Sequence, residues 1–370
     1  MQRVGSVDEA IKLIDQNTVI YILGAGKDGK SCASQLLKHG FKVRYFVDED
    51  KRKIGKSIEG VKVVFPNEIE ESSMKRIFLL CIGEISFYSD EYIESLPICC
   101  QIRNKKEVII IDKQTAVLNK FKIDCKQNDI NLLDEFIKIG NMVLPNFLEI
   151  SEPIKKIFLS ECNDLIMPVF FDDYSMVDEG PYEIDEVQVM PGDIVINAGA
   201  NLGLFSAYVA SKKGLAYAFE PIPKTIELLE LTSKKYGGSI RIIPKALSDK
   251  NGTVQMTDIE YLGQNRICRY DFDNKELIDV NAITLDQFAE TLSLNRVDFI
   301  KADIEGEERN MLLGATNILK KFSPKLSICT YHNEDDPIIL EDIIKQANPA
   351  YKVIHRFKKL YAYIDINEER

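Results

Sequence analysis

A chain of 370 residues with 47 Lys+Arg against 58 Asp+Glu, net charge −11, is long enough for two cores and carries no dense basic stripe for phosphates. Nucleic-acid binding is therefore not expected, and no apolar stretch reaches the roughly 18 residues of a membrane span. The eight cysteines show no C-x-x-C or Cys/His spacing and no signal-peptide core opens the chain, so reduced thiols, no zinc site and a cytoplasmic location are expected.

Val19–Leu23 reads as a buried strand, followed by the turn GAGKDG (Gly24, Gly26, Gly29) and a helix over Ser31–Lys38. The next strand, Lys42–Val47, ends at Asp48, 19 residues beyond Gly29. Strand, glycine turn, helix and a later acid form the dinucleotide fingerprint in its proper context. An anion in the turn would be favoured by Lys27 and opposed by Asp28. Strands at Arg76–Cys81 and Val108–Ile111 complete a small doubly wound domain over residues 1–115. It resembles the Rossmann-like modules of bacterial glycan-biosynthesis enzymes, in which a GAGxxG turn precedes V-D-x-x-x-x-K-x-G. Such modules hold a nucleotide, a nucleotide-sugar or nothing, and all three readings stay open.

Residues 116–165 read as a helical connector: Ile123–Glu149 as helical segments interrupted at Pro145, with Leu132, Leu133, Phe136 and Ile137 on one apolar face, then a helix through Ile154–Leu159. An aromatic and acidic entry segment follows, in which Phe170, Phe171 and Tyr174 read as packing, and Tyr182 and Glu183 as candidates to meet a polyhydroxyl substrate.

The second domain, residues 166–370, carries the chemistry. Ile194–Ile196 is a core strand, Gly199 and Gly203 frame the turn GANLG, and Leu204–Ala210 begins a helix. The next strand, Ala216–Phe219, ends at Glu220, 17 residues after Gly203, where a carboxylate can accept both ribose hydroxyls. The G-x-x-x-G spacing differs from the pyrophosphate-binding G-x-G-x-x-G, so an adenosine ligand without phosphates, S-adenosylmethionine above all, fits better. Another strand, Phe299–Ala302, runs into Asp303, Glu305, Glu307 and Glu308. Several like charges at one strand end repel each other and point to function. Glu307 is read as favouring the start of the helix Arg309–Leu313. A strand at Lys325–Thr330, a helix at Pro337–Gln346 and a hairpin over Tyr351–Phe357 and Tyr361–Ile366 close the domain.

From about Gly192 to about His332 the chain resembles the FkbM-type S-adenosylmethionine-dependent methyltransferases. The resemblance rests on GDIVINAGANLGLFS, AFEP (Ala218–Pro221), IIPKALSDKNG (Ile242–Gly252), ITLDQF (Ile283–Phe288), IKADIEGEE and TYHNED (Thr330–Asp335), in that order. It implies an α/β fold of class I methyltransferase type behind the smaller doubly wound domain. It also implies a cofactor site of Asn197, Gly199, Ala200, Asn201, Gly203, Glu220, Pro221, Ala246, Leu247, Ser248 and Asp303. One departure stands out: the family usually has an aspartate at Asn197, anchoring the cofactor's cationic methionine end, and an amide brings no charge.

Transfer of an activated methyl group to a hydroxyl needs alignment and a proton acceptor. His332 is the first candidate by its motif position; Asp303 or Glu305 would orient it, act directly as base, or hold a hard divalent cation. His39 and His355 read as bland. The expected activity is O-methylation of a sugar hydroxyl on a glycan, glycolipid or nucleotide-sugar. The alternative is a binding or regulatory protein that has lost turnover. Homo-oligomerisation is left open by the sequence.

Overall fold

The computed structural model describes residues 2–69, 75–81, 107–111, 131–132, 135–171, 179–257 and 277–365. The chain divides into two compact units, Met1–Asp124 and Cys125–Arg370.

In the first unit, β1 (Gln2–Val4), β2 (Val19–Leu23), β3 (Val43–Val47), β4 (Ser57–Ile58), β5 (Val61–Val64), β6 (Arg76–Cys81) and β7 (Val108–Ile111) form one sheet in the order β1-β7-β6-β2-β3-β5-β4. All neighbours are parallel except β4 and β5. β2, β6 and β7 read as near-continuous apolar runs because parallel strands are covered on both faces. The helix after the glycine turn spans Lys27–Lys38, four residues longer at its start than expected. Gly26 caps it in extended conformation, and Asp28 in its first turn suits the positive end of the helix. Gly29 is required by close packing: a Cβ there would lie 2.1 Å from the Gly24 carbonyl oxygen.

The second unit opens with a correction. The segment expected to be helical contains β8 (Asn131–Leu132), β9 (Phe136–Ile139) and β10 (Met142–Pro145), antiparallel around Gly140 and Asn141. Ile137 and Ile139 are buried on either side of exposed Lys138, and Met142 and Leu144 answer them, a period of two. With a Gly-Asn turn at φ +55° for Gly140, that alternation is a hairpin pattern. Leu133 and Tyr174 lie outside the described residues. The helix beyond is present as Glu152–Glu161, capped by the Ser151 hydroxyl.

The main sheet comprises β11 (Ile194–Ala198), β12 (Leu215–Phe219), β13 (Ile240–Ile243), β17 (Phe299–Ala302), β18 (Lys325–Cys329), β19 (Lys352–Arg356) and β20 (Lys359–Tyr363). Between β13 and β17 in sequence, β14 (Ala246–Leu247), β15 (Gly252–Thr257) and β16 (Leu277–Ile283) make a separate three-stranded sheet. The main order is β13-β12-β11-β17-β18-β20-β19, parallel through β18 and antiparallel for β20 and β19. This is the class I methyltransferase arrangement, with the chain reversing its direction of spread between β11 and β17.

Alternation along each strand gives the sheet two unlike faces. Ile196, Ala198, Ile300, Ala302, Leu326, Ile328, Leu360 and Ala362 enter one apolar core. The opposite face carries buried polar residues at matching registers, Asn197 beside Lys301 and Cys329 beside Lys359. Gly199 lets the first turn cross the end of β17: its φ is +71°, and an added Cβ would lie 1.9 Å from the Asp303 carbonyl oxygen. Gly199→Ala should therefore lower stability by roughly 2–4 kcal/mol, from left-handed strain plus overpacking. A thermal midpoint unchanged from wild type would show that the turn yields more readily than this close approach implies.

Candidate functional site

A cleft opens at the carboxyl ends of β11, β12 and β17, where ligands bind in open α/β sheets. The strand order lays its lining out in a row. Ala246, Leu247, Met256 and Ile222 give apolar walls on the β12–β13 side; Glu220 and Pro221 follow β12; Gly199, Ala200 and Asn201 follow β11; and Lys301, Asp303, Ile304 and Glu305 end β17. Glu161 and Leu165 from the connector and Tyr182 from the entry segment also face it.

Glu220 ties two turns together. One oxygen accepts the Asn201 backbone N–H at 3.1 Å, the other the Ile222 N–H at 3.1 Å. Burial pushes its carboxyl up to about 7, against the pull of those two N–H groups and of Lys301. Asn201 sits at φ +45° with its side-chain oxygen buried and unpartnered.

The β17 end is denser in charge. Asp303 accepts hydroxyl bonds from Tyr182 at 3.0 Å and Tyr331 at 3.1 Å. Burial opposes its charge, yet Lys301, Lys359 and His332 together hold it below the usual carboxylate range. Two buried lysines flank the Tyr182 ring, Lys301 Nζ at 4.9 Å and Lys359 Nζ at 4.6 Å from its centre. Lys301 also donates to Gly199 O at 2.9 Å, fastening the glycine turn to β17. Burial alone would lower Lys359, but the acids Asp164, Asp303 and Glu179 raise it.

Glu305 stands at φ +57°, and the Glu308 carboxylate holds that turn by accepting the Ile304 N–H at 2.8 Å and the Gly306 N–H at 3.1 Å. Burial and the charge of Asp303 push Glu305 up to about 8. His332 is nearly enclosed: Nδ1 lies 3.2 Å from Glu308, Nε2 3.6 Å from Glu305 and 4.0 Å from Asp303. Burial works against its charged form, but contact with Glu308 and the charges of Asp303 and Glu305 prevail and raise it to about 9. Asp303, Glu305 and His332 can each offer a ligand atom within 4.8 Å of one another, a mixed oxygen and nitrogen set suited to a divalent cation.

Five sequence candidates do not line the cleft. His332 reaches it only through Glu305 and Asp303. Asn197 shares the sheet face of Lys301 but is fully buried, and its amide donates to Ser206 at 2.9 Å. Gly203 serves packing, since a Cβ would lie 2.6 Å from Leu229. Ser248 is fully buried. Glu183 braces the entry segment, accepting from Val189 N–H at 2.6 Å and Tyr208 OH at 2.7 Å with Lys212 at 3.6 Å. In the first unit, Asp48 accepts from Ala25 N–H, Lys53 Nζ and Asp50 N–H, binding the GAGKDG turn to its own strand end.

Glu161, Lys301, Lys359 and Glu308 join the site without having been singled out by sequence motif. Lys301 had a signal, a lone charge inside an apolar strand run; Glu161 had none.

Strand order, glycine turn, strand-end acids and the cleft across the reversal point define a class I methyltransferase-type site. Residues 197–359 match the methyltransferase FkbM domain model. The hexuronic acid methyltransferase AglP of Haloferax volcanii is 26% identical over 163 residues, 44% of this chain and 65% of that protein. The AMB antimetabolite synthetase AmbE of Pseudomonas aeruginosa is 24% identical over 196 residues, 42% of this chain and 9% of that one. The matches thus span less than two thirds of either relative. A solved FkbM methyltransferase from Methylobacillus flagellatus aligns over 96% of this chain and 92% of its own, at 15% identity and a TM-score of 0.42.

These groups together fix a pH response. His332, raised from 6.5 to about 9, and Glu305, raised from 4.5 to about 8, both hold more protons folded than unfolded. The stability tied to His332 is full below pH 6.5 and lost through 9; that tied to protonated Glu305 is full below 4.5 and lost through 8. The metal-free, ligand-free protein should therefore melt at falling temperature between pH 5 and 9, with a shallower slope in His332→Gln and Glu305→Gln. A melting temperature that rises over this window would contradict the assignment.

Proposed function

We propose that the protein transfers a methyl group from S-adenosylmethionine to a sugar hydroxyl of a glycan, glycolipid or nucleotide-sugar. The observation that carries this reading is the row of unlike subsites: apolar walls, then Glu220, then the glycine turn, then the charged end of β17. Three strand spacings, about 14 Å, separate β13 from β17, a span suited to adenine, ribose and the methionine chain in sequence. Glu220 would accept ribose hydroxyls while keeping its two backbone bonds. The likeness to AglP, a hexuronic acid methyltransferase, supports a carbohydrate acceptor. A non-catalytic reading drew on Asn197, and that residue is fully buried with its amide bonded to Ser206.

When bound, the cofactor supplies a methyl group already activated by its sulfonium. Transfer to the hydroxyl oxygen would leave the breaking bond's electron pair on the departing thioether, and the hydroxyl proton would have to go to the protein. Glu305 is the acceptor best matched to that task, because it lines the cleft and its carboxyl is raised toward working pH. Asp303 stays ionised and its two phenol partners hold it in one orientation. His332 contacts Glu305 from behind and can share the proton. A divalent cation at Asp303, Glu305 and His332 would do part of this work by making the hydroxyl more acidic.

Labelled S-adenosylmethionine offered with a panel of uronic acids, hexoses and nucleotide-sugars tests the reaction directly. Label in none of these acceptors, with a cofactor-loaded protein, would exclude the sugar reading. Glu305→Gln should lower kcat by roughly 10²–10⁴ while leaving S-adenosylhomocysteine affinity unchanged; full activity would pass the proton to Asp303 or His332. Turnover that survives EDTA assigns proton removal to side chains alone, whereas loss restored by Mg²⁺ or Mn²⁺ assigns the cluster to a cation.

A further inference from the structure

Nothing in the strand β11 turn offers a charge for a cationic ligand group, because Asn197 is neutral and turned to Ser206. The cleft nevertheless contains a free acid of another origin. Glu161, the last residue of the helix Glu152–Glu161, lines the same cleft as Gly199, Asn201 and Lys301, and its Oε1 is buried without a hydrogen-bond partner. Burial pushes its carboxyl up to about 8, and Lys301 and the Leu202 backbone N–H offset that only in part. Among the described residues no cationic side chain hydrogen-bonds this carboxylate. Lys301 has the complementary character: it is 5% exposed, and its ammonium donates to the backbone carbonyls of Gly199 at 2.9 Å and Ala198 at 3.5 Å.

We propose that Glu161 and Lys301 form a clamp for a zwitterionic α-amino acid, Glu161 taking the ammonium group and Lys301 the carboxylate. On the methyl-donor reading above, this is the methionine end of the cofactor, and an acid from the helix before the sheet does the work expected of a strand-end aspartate. An ammonium–carboxylate hydrogen bond in a buried setting contributes about 1.5–3 kcal/mol, or roughly 10- to 150-fold in affinity.

The test compares three ligands by calorimetry on wild type and Glu161→Gln. S-adenosylhomocysteine carries both charged groups, 5′-(3-aminopropylthio)-5′-deoxyadenosine only the amine, and 5′-methylthioadenosine neither. The variant should lose roughly 10- to 150-fold for the first two ligands and nothing for the third. Equal loss for all three would make Glu161 a structural residue and overturn the clamp, as would no loss for any. Absence of binding by all three to wild type would overturn the clamp together with the methyl-donor reading. Binding of S-adenosylhomocysteine to wild type that is unchanged in Glu161→Gln would overturn the clamp alone. The melting temperature of the variant provides the folding control, since a neutral amide at this buried position should not destabilise.

Discussion

Asp303 keeps its charge in a partly buried setting because three cations and two phenols face it: Lys301, Lys359, His332, Tyr182 and Tyr331. Much of the site follows from that concentration of charge. Lys301 must be near Asp303, and from there its ammonium also reaches Gly199 O, so the cofactor-type turn is anchored to the strand that carries the acid. Tyr182 must lie between the two lysines for its hydroxyl to meet Asp303, which brings the entry segment over the sheet. An unpaired charge at this depth would cost several kcal/mol, and the surrounding groups exist in a number sufficient to avoid it.

Two carboxylates two residues apart are driven in opposite directions by these surroundings. Asp303, bonded to phenols and faced by cations, is lowered; Glu305, buried beside the Asp303 charge, is raised to about 8. Separation of this kind lets one acid remain a fixed anion while its neighbour exchanges a proton near neutral pH. The strained backbone at Glu305 belongs to the same arrangement. A left-handed φ costs about 1–2 kcal/mol for a side-chain-bearing residue, and two N–H bonds to Glu308 hold the turn in place. Glu308 then has its remaining capacity directed at His332.

Much of the fold was legible because parallel core strands announce themselves. β2, β6, β7 and β17 fall where continuous apolar runs place them, and the glycine turns mark where chain meets chain. The hairpin at β9 and β10 was misread because Leu132, Leu133, Phe136 and Ile137 also fit a helical face; the Gly140-Asn141 turn carried the better signal. The site was legible at strand ends, where sequence proximity and spatial proximity coincide. It was not legible where partners come from distant segments: Glu161, Glu179 and Lys359 join Asp303 only through tertiary folding. Asn197 could be found but not oriented by motif. Counting residues along β11 orients it, since Ile196 and Ala198 face the apolar core and Asn197 must face away.

The two glycine turns of this chain show how similar sequence patterns separate into different chemistry. Each precedes a helix, and each is followed one strand later by an acid. Asp48 has a lysine and two backbone N–H groups bonded to it, and those partners lower its carboxyl despite burial. Glu220 has two N–H groups and no bonded cation, and burial raises it to about 7. An acid already neutralised from within fastens a turn. An acid still under a desolvation penalty, beside a cleft and an unpartnered Asn201 oxygen, gains when hydroxyls arrive to share its charge. The difference lies in Lys53, five residues after Asp48, a cation for which the Glu220 turn has no counterpart at the same spacing: Thr225 stands there instead.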